Sequence, residues 1–264
     1  MGSRVLGVDF SGASDAGRSL WLTEARRTDS GLVVDDCYRA ADEWGPHRED
    51  AHAGLRDRLT AGFDVVGLDV PFSLPDVLLD EHCDGEWAGL VEWLSLDGPD
   101  DPDAFASTCR STAREHTGDG TASIRRETDL RRAALCPYDR LVQYQTYYGI
   151  TNVLGAVADH PDIAVAPMQD DPDATTHVVE VYPAATFGWL GLYREGYKGD
   201  RQDRRVTNVD GIEACSVDFG AFRPVYEQHH DALDSLAAVV SAGRVAETGD
   251  PPLHGSRAEG HIYV

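Results

Sequence analysis

Residues 4–12 read RVLGVDFSG, an apolar run of strand length that carries one aspartate and stops at a Ser-Gly pair. A run of this kind, bounded by turn residues, predicts a buried strand. Aspartate is a poor strand residue, and an ionised carboxylate is costly to bury without a partner. Asp9, near the end of this run, is therefore the first candidate for a functional residue.

Two more strands and a helix are predicted after this turn. Residues 19–23 and 32–34 have strand character, and a Ser-Gly pair lies between them. Three strands in succession with short connections predict an antiparallel meander. Residues 47–61 have helical character, since apolar residues recur there at a spacing of four.

The rest of the sheet is predicted to come from two later segments. Residues 63–69 (FDVVGLD) read as a fourth strand that ends in an aspartate, and residues 177–182 (HVVEVY) read as a fifth strand. Between them, residues 76–165 consist of helical pieces separated by polar loops, which predicts a helical insertion. We expect a single α/β domain over residues 1–264, with a mixed sheet flanked by helices.

A long helix is predicted over residues 219–243. Asp231 and Asp234 are three residues apart in it and therefore share one face. An acidic pair also complements the dipole at a helix N-terminus, but Asp231 would lie well inside a helix that begins at residue 219. Two carboxylates inside such a helix are costly to bury unless they meet a cation.

The net charge of −23 comes from 46 acidic and 23 basic residues, and the basic residues are 22 arginines and one lysine. Such a chain repels itself in dilute buffer, whereas molar salt reduces the Debye length to about 3 Å and screens the repulsion. We therefore expect a halophilic protein from a salt-rich cytosol, where an acidic surface does not exclude a polyanionic partner. The melting temperature should rise steeply from low to molar KCl, and a flat response would contradict this adaptation.

Cysteine content and hydropathy indicate a cytoplasmic protein. The five cysteines are odd in number and include no CxxC pair, so neither a disulfide framework nor a structural zinc site is predicted. No stretch approaches about 18 consecutive apolar residues, so we expect no membrane-spanning helix and no membrane partner. The first residues lack the basic stretch, apolar core and cleavage site of a secretory signal.

Acidic residues recur in the predicted strands. Asp9, Asp69 and Glu180 end or lie in three of them, and in open α/β sheets functional groups gather outside the strand ends. Any one of these residues alone could cap a turn, but several carboxylates within a few ångströms repel one another unless a cation holds them. Since oxygen ligands select Mg²⁺ or Mn²⁺ rather than zinc, the sequence predicts a site for one of these ions.

Four segments occur in an order that resembles a known family. They are GVDFSG at 7–12, GLDVPFSLP at 67–75, EVYPAAT at 180–186 and HDALDSL at 230–236, and the similarity extends to EGHIY at 259–263. The chain resembles the family catalogued as domain of unknown function 429, which is regarded as a predicted RNase H-like nuclease. The HDALDSL segment is also similar to the Asp-x-x-Asp helix that completes the metal site of Holliday-junction resolvases.

The resemblance implies an RNase H-like fold, with a mixed five-stranded sheet whose first three strands are antiparallel. It also implies catalytic acids at Asp9, Asp69, Glu180 and Asp231 or Asp234. Two Mg²⁺ or Mn²⁺ ions about 4 Å apart would then activate a water and stabilise the leaving 3′ oxygen. Asp9 would bridge both ions, and Asp69 would hold one of them. Asp231 or Asp234 would hold the other, and Glu180 would complete the ligand set or position water.

Substrate contacts are predicted around this acidic site. Ser11 and Gly12 form the turn after the first strand, where a glycine lets a phosphate approach. Lys198 is expected to contact the scissile phosphate or the edge of the metal site, although a lone lysine could stand there by chance. Arg126 and Asp129 are candidates for an anion clamp that folds over the site, and salt bridging on a helix surface is the alternative.

The leading hypothesis is a metal-dependent nuclease or phosphodiesterase that acts on nucleic acid or nucleotides by two-metal hydrolysis. Resolvases of this fold act as dimers, which favours a homodimer. An actin-like ATPase or sugar kinase also begins with Gly-x-Asp-x-Ser-Gly, but such proteins duplicate the fold and need a longer chain. A third alternative is a non-catalytic binding protein that retains the acidic site.

Overall fold

Eight strands form one mixed sheet in the computed structural model, which describes residues 2–249 and 251–264. They are β1 (Arg4–Asp9), β2 (Trp21–Thr28), β3 (Gly31–Arg39), β4 (Val65–Asp69), β5 (Ile163–Ala166), β6 (Thr176–Val181), β7 (Val217–Asp218) and β8 (Ile262–Tyr263). The order across the sheet is β5-β6-β4-β1-β2-β3-β7, and β8 also pairs with β6. As predicted, β1, β2 and β3 are antiparallel, whereas all other neighbouring strands in the described residues are parallel.

The described residues contain three more strands than the five predicted. β5, β7 and β8 are only four, two and two residues long, and such short segments show no alternation from which a strand can be predicted. β5 lies at the end of the range 76–165, which the sequence predicts as a helical insertion. Pro161 and Pro167 flank it and favour a loop in this position.

Helices cover both faces of the sheet. They are α1 (Ala40–Glu43), α2 (Arg48–Leu59), α3 (Asp76–His82), α4 (Trp87–Glu92), α5 (Pro102–Thr117), α6 (Glu127–Arg132), α7 (Gln143–Gly149), α8 (Gly155–Val157), α9 (Pro183–Trp189), α10 (Gln202–Glu213), α11 (Arg223–Gln228) and α12 (His230–Thr248). Two π-helical segments, Trp93–Asp97 and Ile150–Leu154, continue α4 and α7. Within residues 2–249 and 251–264, no helix combines the length and apolar character that crossing a membrane requires.

Two apolar clusters hold these layers together, one on each face of the sheet. Leu6 and Val8 of β1 belong to the cluster that includes α2 and the helices of the insertion. Val5 belongs to the cluster on the other face, which includes α9, α10 and α12. Because successive side chains of a strand point to opposite faces, β1 is buried on both sides and forms the centre of the fold.

A glycine in β1 lets α12 lie directly on the sheet. A Cβ atom on Gly7 would be 2.2 Å from the carbonyl oxygen of Ser235 and 2.4 Å from the amide nitrogen of Val239, so no larger residue fits without displacing the helix. The hydroxyls of Thr23 in β2 and Ser235 also lie 2.7 Å apart. This close approach brings the N-terminal turns of α12 to the ends of β1 and β4.

The last predicted helix is interrupted at His229. Instead of one helix over residues 219–243, the structure has α11 and α12 with an extended residue between them. His229 has φ −116° and ψ 117°, and its ring stacks on Trp21 at a centroid distance of 5.2 Å. Asp231 therefore lies in the first turn of α12, where its charge complements the helix dipole, and not well inside a helix.

Candidate functional site

The carboxyl ends of β1 and β4 carry two neighbouring aspartates. The two strands are parallel, and Asp9 and Asp69 are direct partners in their register. Both side chains line one cavity of about 190 Å³, together with Glu180 of β6 and Lys198. Asp9 is only 8% exposed. The structure therefore brings together three of the predicted acids and the lysine from segments that lie far apart in the chain.

Asp234 joins this cluster from α12. Its side chain is 1% exposed, and its Oδ2 atom is 2.8 Å from Nζ of Lys198, whose own side chain is 57% exposed. The hydroxyl of Tyr197 donates a second hydrogen bond to Oδ1, at 2.8 Å. The lysine thus reaches in from the solvent side and pairs with a carboxylate that is itself buried.

Asp231, the other acid predicted on this helix, lies at the edge of the cluster. It is partly exposed, and its Oδ1 atom is 3.2 Å from Nε2 of His230. Its charge still acts on Asp9. Of the two predicted helix acids, Asp234 is therefore the one that the fold buries beside the strand ends.

The acids of the cluster shift one another's protonation. Burial raises the pKa of Asp9 well above its usual value, and the charges of Asp234 and Asp231 raise it further. Burial and the charge of Asp234 raise the pKa of Asp69 to about 8. Lys198 opposes both shifts. Since one ammonium group faces the three carboxyl groups of Asp9, Asp69 and Asp234, the cluster carries an excess of negative charge when all of them are ionised.

A buried arginine fixes the loop that carries Lys198. Nη1 of Arg205, on α10, donates to the carbonyl oxygens of Tyr197 at 2.8 Å and Gly199 at 2.7 Å. Gly196 and Gly199 have φ angles of +71° and +64°, which glycine adopts without strain. The sequence gives no signal for Tyr197 or Arg205, because a polar segment without apolar periodicity does not show what its side chains contact.

Glu180 faces the cavity as part of a buried ion pair. Its Oε1 and Oε2 atoms accept hydrogen bonds from Nη2 and Nη1 of Arg126, at 2.5 and 2.7 Å. The amide of Phe72 also donates to Oε2, at 2.9 Å. The guanidinium group of Arg126 binds Asp129 as well, through Nε at 3.0 Å and Nη2 at 2.7 Å. Glu180 therefore binds a buried cation directly, although its charge still contributes to raising the pKa of Asp69.

The residues predicted as an anion clamp, Arg126 and Asp129, form the other half of this network. Both side chains are fully buried, and the Arg126 amide donates to Oδ2 of Asp129 at 3.0 Å, at the start of α6. The side chain of Asp129, at the third position of this helix, thus binds the amide of the cap residue, as the acid of a capping box does. Contact of either residue with a substrate stays a prediction, and it would require this network to open.

Contacts with neighbouring helices and loops fix the conformation of the turn after β1, Ser11-Gly12. A Cβ atom on Gly12 would be 2.3 Å from the carbonyl oxygen of Tyr144, so the turn needs glycine where it meets α7. The Ser11 carbonyl oxygen accepts a hydrogen bond from Nε2 of His52 at 2.9 Å, and its hydroxyl accepts one from Ser19 at 2.9 Å. Burial lowers the pKa of His52 to about 4, so its ring is neutral at pH 7. Contact of this turn with phosphate stays a prediction.

Glu259 ties the insertion to the sheet. Its Oε1 atom accepts a hydrogen bond from the amide of Asp76 at the start of α3, at 2.9 Å. Its Oε2 atom accepts one from the amide of Glu127 at the start of α6, at 3.1 Å. β8 follows within three residues and pairs with β6. The EGHIY segment of the family resemblance was the available signal for this residue, but no sequence pattern indicates which amides it contacts.

Comparison with known proteins identifies the family of this chain. The family model described as protein of unknown function (DUF429) matches residues 7–256, a range that contains every acid of the cluster. The chain belongs to the DUF429 family. The predicted resemblance to this family is thereby confirmed, and no curated protein and no solved structure matches the chain.

The acids of this DUF429 protein fit a divalent cation in their chemistry. They are carboxylate oxygens with an excess of negative charge, which suits Mg²⁺ or Mn²⁺. In the part of the chain that the structure describes, however, no group of three or more His, Cys, Asp or Glu side chains is arranged to hold a metal ion. Asp234 is engaged by Lys198 and Tyr197. Glu180 is engaged by Arg126.

Neutralising Asp69 is expected to stabilise this DUF429 protein in the absence of divalent cations. The folded state keeps a proton on Asp69 up to about pH 8, whereas the unfolded chain releases it above about pH 4. Between these values the stability of the wild type should therefore fall as the pH rises. Asp69→Asn should remove this contribution and raise the melting temperature in EDTA at pH 8 by about 3–6 °C, or about 1–2 kcal/mol.

A surface substitution separates this effect from the overall charge. Asp57→Asn, on an exposed position of α2, changes the net charge equally without contacting the cluster. It should shift the melting temperature by no more than about 2 °C. Equal shifts for the two variants would show a general relief of the acidic surface and would contradict repulsion within the cluster.

Proposed function

We propose that this protein is a metal-dependent nuclease or phosphodiesterase with an RNase H-like fold. The observation that carries the proposal is that Asp9 of β1 and Asp69 of β4 line one cavity with Lys198, and that Asp234 of α12 pairs with this lysine and acts on both aspartates. Carboxylates that gather at the ends of strands with excess negative charge are suited to holding Mg²⁺ or Mn²⁺. The position of Lys198 beside them supplies a positive charge for a phosphate group.

The strand order supports the RNase H-like part of the proposal. The central strands run in the order β3-β2-β1-β4-β6, with two antiparallel pairs followed by two parallel ones. The resemblance implies the same mixed five-stranded sheet, to which β5, β7 and β8 add short edge strands. The helix α12 carries the Asp-x-x-Asp pair to the strand ends, as the last helix of resolvases does in the implied fold.

Each side chain of the cluster has a distinct part in the proposed reaction. Asp9, Asp69 and Asp234 would hold the divalent cation, which when bound supplies activation of water and stabilisation of the leaving oxygen. Lys198 would bind an oxygen of the scissile phosphate through its compact ammonium group.

A neighbouring side chain, Gln145, holds the backbone next to the cluster. Its Nε2 atom donates a hydrogen bond to the carbonyl oxygen of Phe10 at 2.7 Å, which fixes the backbone directly after Asp9.

The test is cleavage of labelled phosphodiesters in molar KCl with Mg²⁺ or Mn²⁺. Single-stranded DNA, duplex DNA, RNA, a DNA–RNA hybrid, a four-way junction and bis(p-nitrophenyl) phosphate cover the substrate classes. We expect at least one to be hydrolysed in a reaction that EDTA abolishes. Binding of Mn²⁺ without cleavage of any of them would overturn the proposal in favour of a non-catalytic binding protein.

A further inference from the structure

Lys198 is an exception in the composition of this chain. The other 22 basic side chains are all arginine, so a lysine at this one position departs from what the chain uses elsewhere. Its ammonium group lies 2.8 Å from Asp234 and lines the cavity that Asp9 and Asp69 share. An ammonium group is a compact point charge, and in this respect it resembles a metal ion more closely than a planar guanidinium group does.

The two partners of this ion pair differ in their freedom to move. Asp234 is 1% exposed and is also held by the hydroxyl of Tyr197, whereas the side chain of Lys198 is 57% exposed. Arg205 fixes the backbone on either side of the lysine. The flexible lysine side chain can therefore swing toward solvent while the loop and the carboxylate stay in place.

We propose that the ammonium group of Lys198 is the resident counter-ion of the acid cluster, and that a divalent cation displaces it from Asp234 on binding. This inference rests on the proposed function. It explains why the acids converge although no three of them, among the described residues, are arranged to hold an ion. It also gives Lys198 two successive partners, the Asp234 carboxylate before the cation binds and the substrate phosphate afterwards.

The first consequence is that the lysine weakens cation binding. We expect Lys198→Met to bind Mn²⁺ at least about tenfold more tightly than the wild type, because the ion no longer competes with a positive charge a few ångströms away. Free Mn²⁺ is measured by electron paramagnetic resonance during a titration at constant KCl. Arg201→Met is the matched control, since Arg201 is exposed, lies near Lys198 in the chain and pairs with Asp203 outside the cluster. Its Mn²⁺ affinity should stay within about twofold of the wild type.

The second consequence is tested in the wild-type protein and needs no variant. Because Lys198 is the only lysine, an amine-acetylating reagent modifies no other side-chain amine of this chain, and digestion with mass spectrometry follows its modification. We expect Mn²⁺ to accelerate this acetylation several-fold, since the ammonium group leaves its carboxylate partner. A lysine-containing reference peptide in the same tube corrects for any effect of Mn²⁺ on the reagent.

The outcomes distinguish this inference from the proposed function. Equal or weaker Mn²⁺ binding by Lys198→Met, or acetylation that Mn²⁺ does not accelerate, would overturn the displacement of Lys198 while metal-dependent cleavage could stand. If neither the wild type nor the variant binds Mn²⁺, both the inference and the proposed function fail. Tighter binding by the variant together with faster acetylation of the wild type supports the exchange.

Discussion

Asp9→Asn is expected to lower Mg²⁺- or Mn²⁺-dependent cleavage about a thousandfold or more, which corresponds to about 4 kcal/mol of activation free energy. Asp9 ends the central strand, is buried, and stands in register with Asp69. Asparagine keeps the size of the side chain but removes the charge with which a carboxylate holds a divalent cation. The measurement is single-turnover cleavage of the best substrate in molar KCl at saturating cation.

Loss of the fold should not contribute to this effect. Removing one charge from a cluster with excess negative charge leaves the melting temperature in EDTA unchanged or raises it. The surface variant Asp57→Asn should keep the full rate, because Asp57 is exposed on α2 and outside the cluster. Wild-type activity in Asp9→Asn would mean that the acid cluster is not the reaction centre.

Arg126→Met should destabilise the protein by about 3–5 kcal/mol, and lower its melting temperature by about 6–20 °C. The substitution leaves two carboxylates, Glu180 and Asp129, buried without the guanidinium group that binds both. The methionine side chain fills much of the same volume, so the expected loss reflects uncompensated charge rather than a cavity. Thermal unfolding followed by circular dichroism in molar KCl measures the change.

Arg131→Met is the matched comparison, five residues further along the chain. Arg131 pairs with Glu127 on an exposed face of α6, and an ion pair of this kind contributes at most about 1 kcal/mol. Adding Glu180→Gln to Arg126→Met should recover part of the lost stability, because it removes one of the two buried carboxylates that have lost their guanidinium partner. Equal melting temperatures for the two arginine variants would contradict the role assigned to the buried network.

The centre of the fold and its acids could be predicted from the sequence for a physical reason. A strand that is buried on both faces has a continuous apolar sequence, so an aspartate at the end of such a sequence is easy to recognise as unusual. Asp9 and Asp69 were found in this way, and the structure places them side by side. The spacing of Asp231 and Asp234 puts both on one helix face, but only the structure shows that Asp234 is the buried one.

The remaining features depend on contacts that no local pattern encodes. At the break between α11 and α12, the ring of His229 stacks on Trp21, which lies in the second strand. The pairing of Glu180 with Arg126 joins residues 54 positions apart and is what separates Glu180 from the other acids. The three short edge strands exist only because a longer strand offers them a partner, so their own residues carry no period of two.

The contacts of Glu259 have a consequence for how the chain folds during synthesis. The amide of Asp76 is bound by a residue that is 183 positions later in the sequence. The amides at the start of α3 and α6 can donate these hydrogen bonds only after the ribosome has added Glu259. Contacts of such high sequence separation slow folding. The N-terminal ends of α3 and α6 therefore gain their shared carboxylate partner only after strands β1 to β7 have been synthesised.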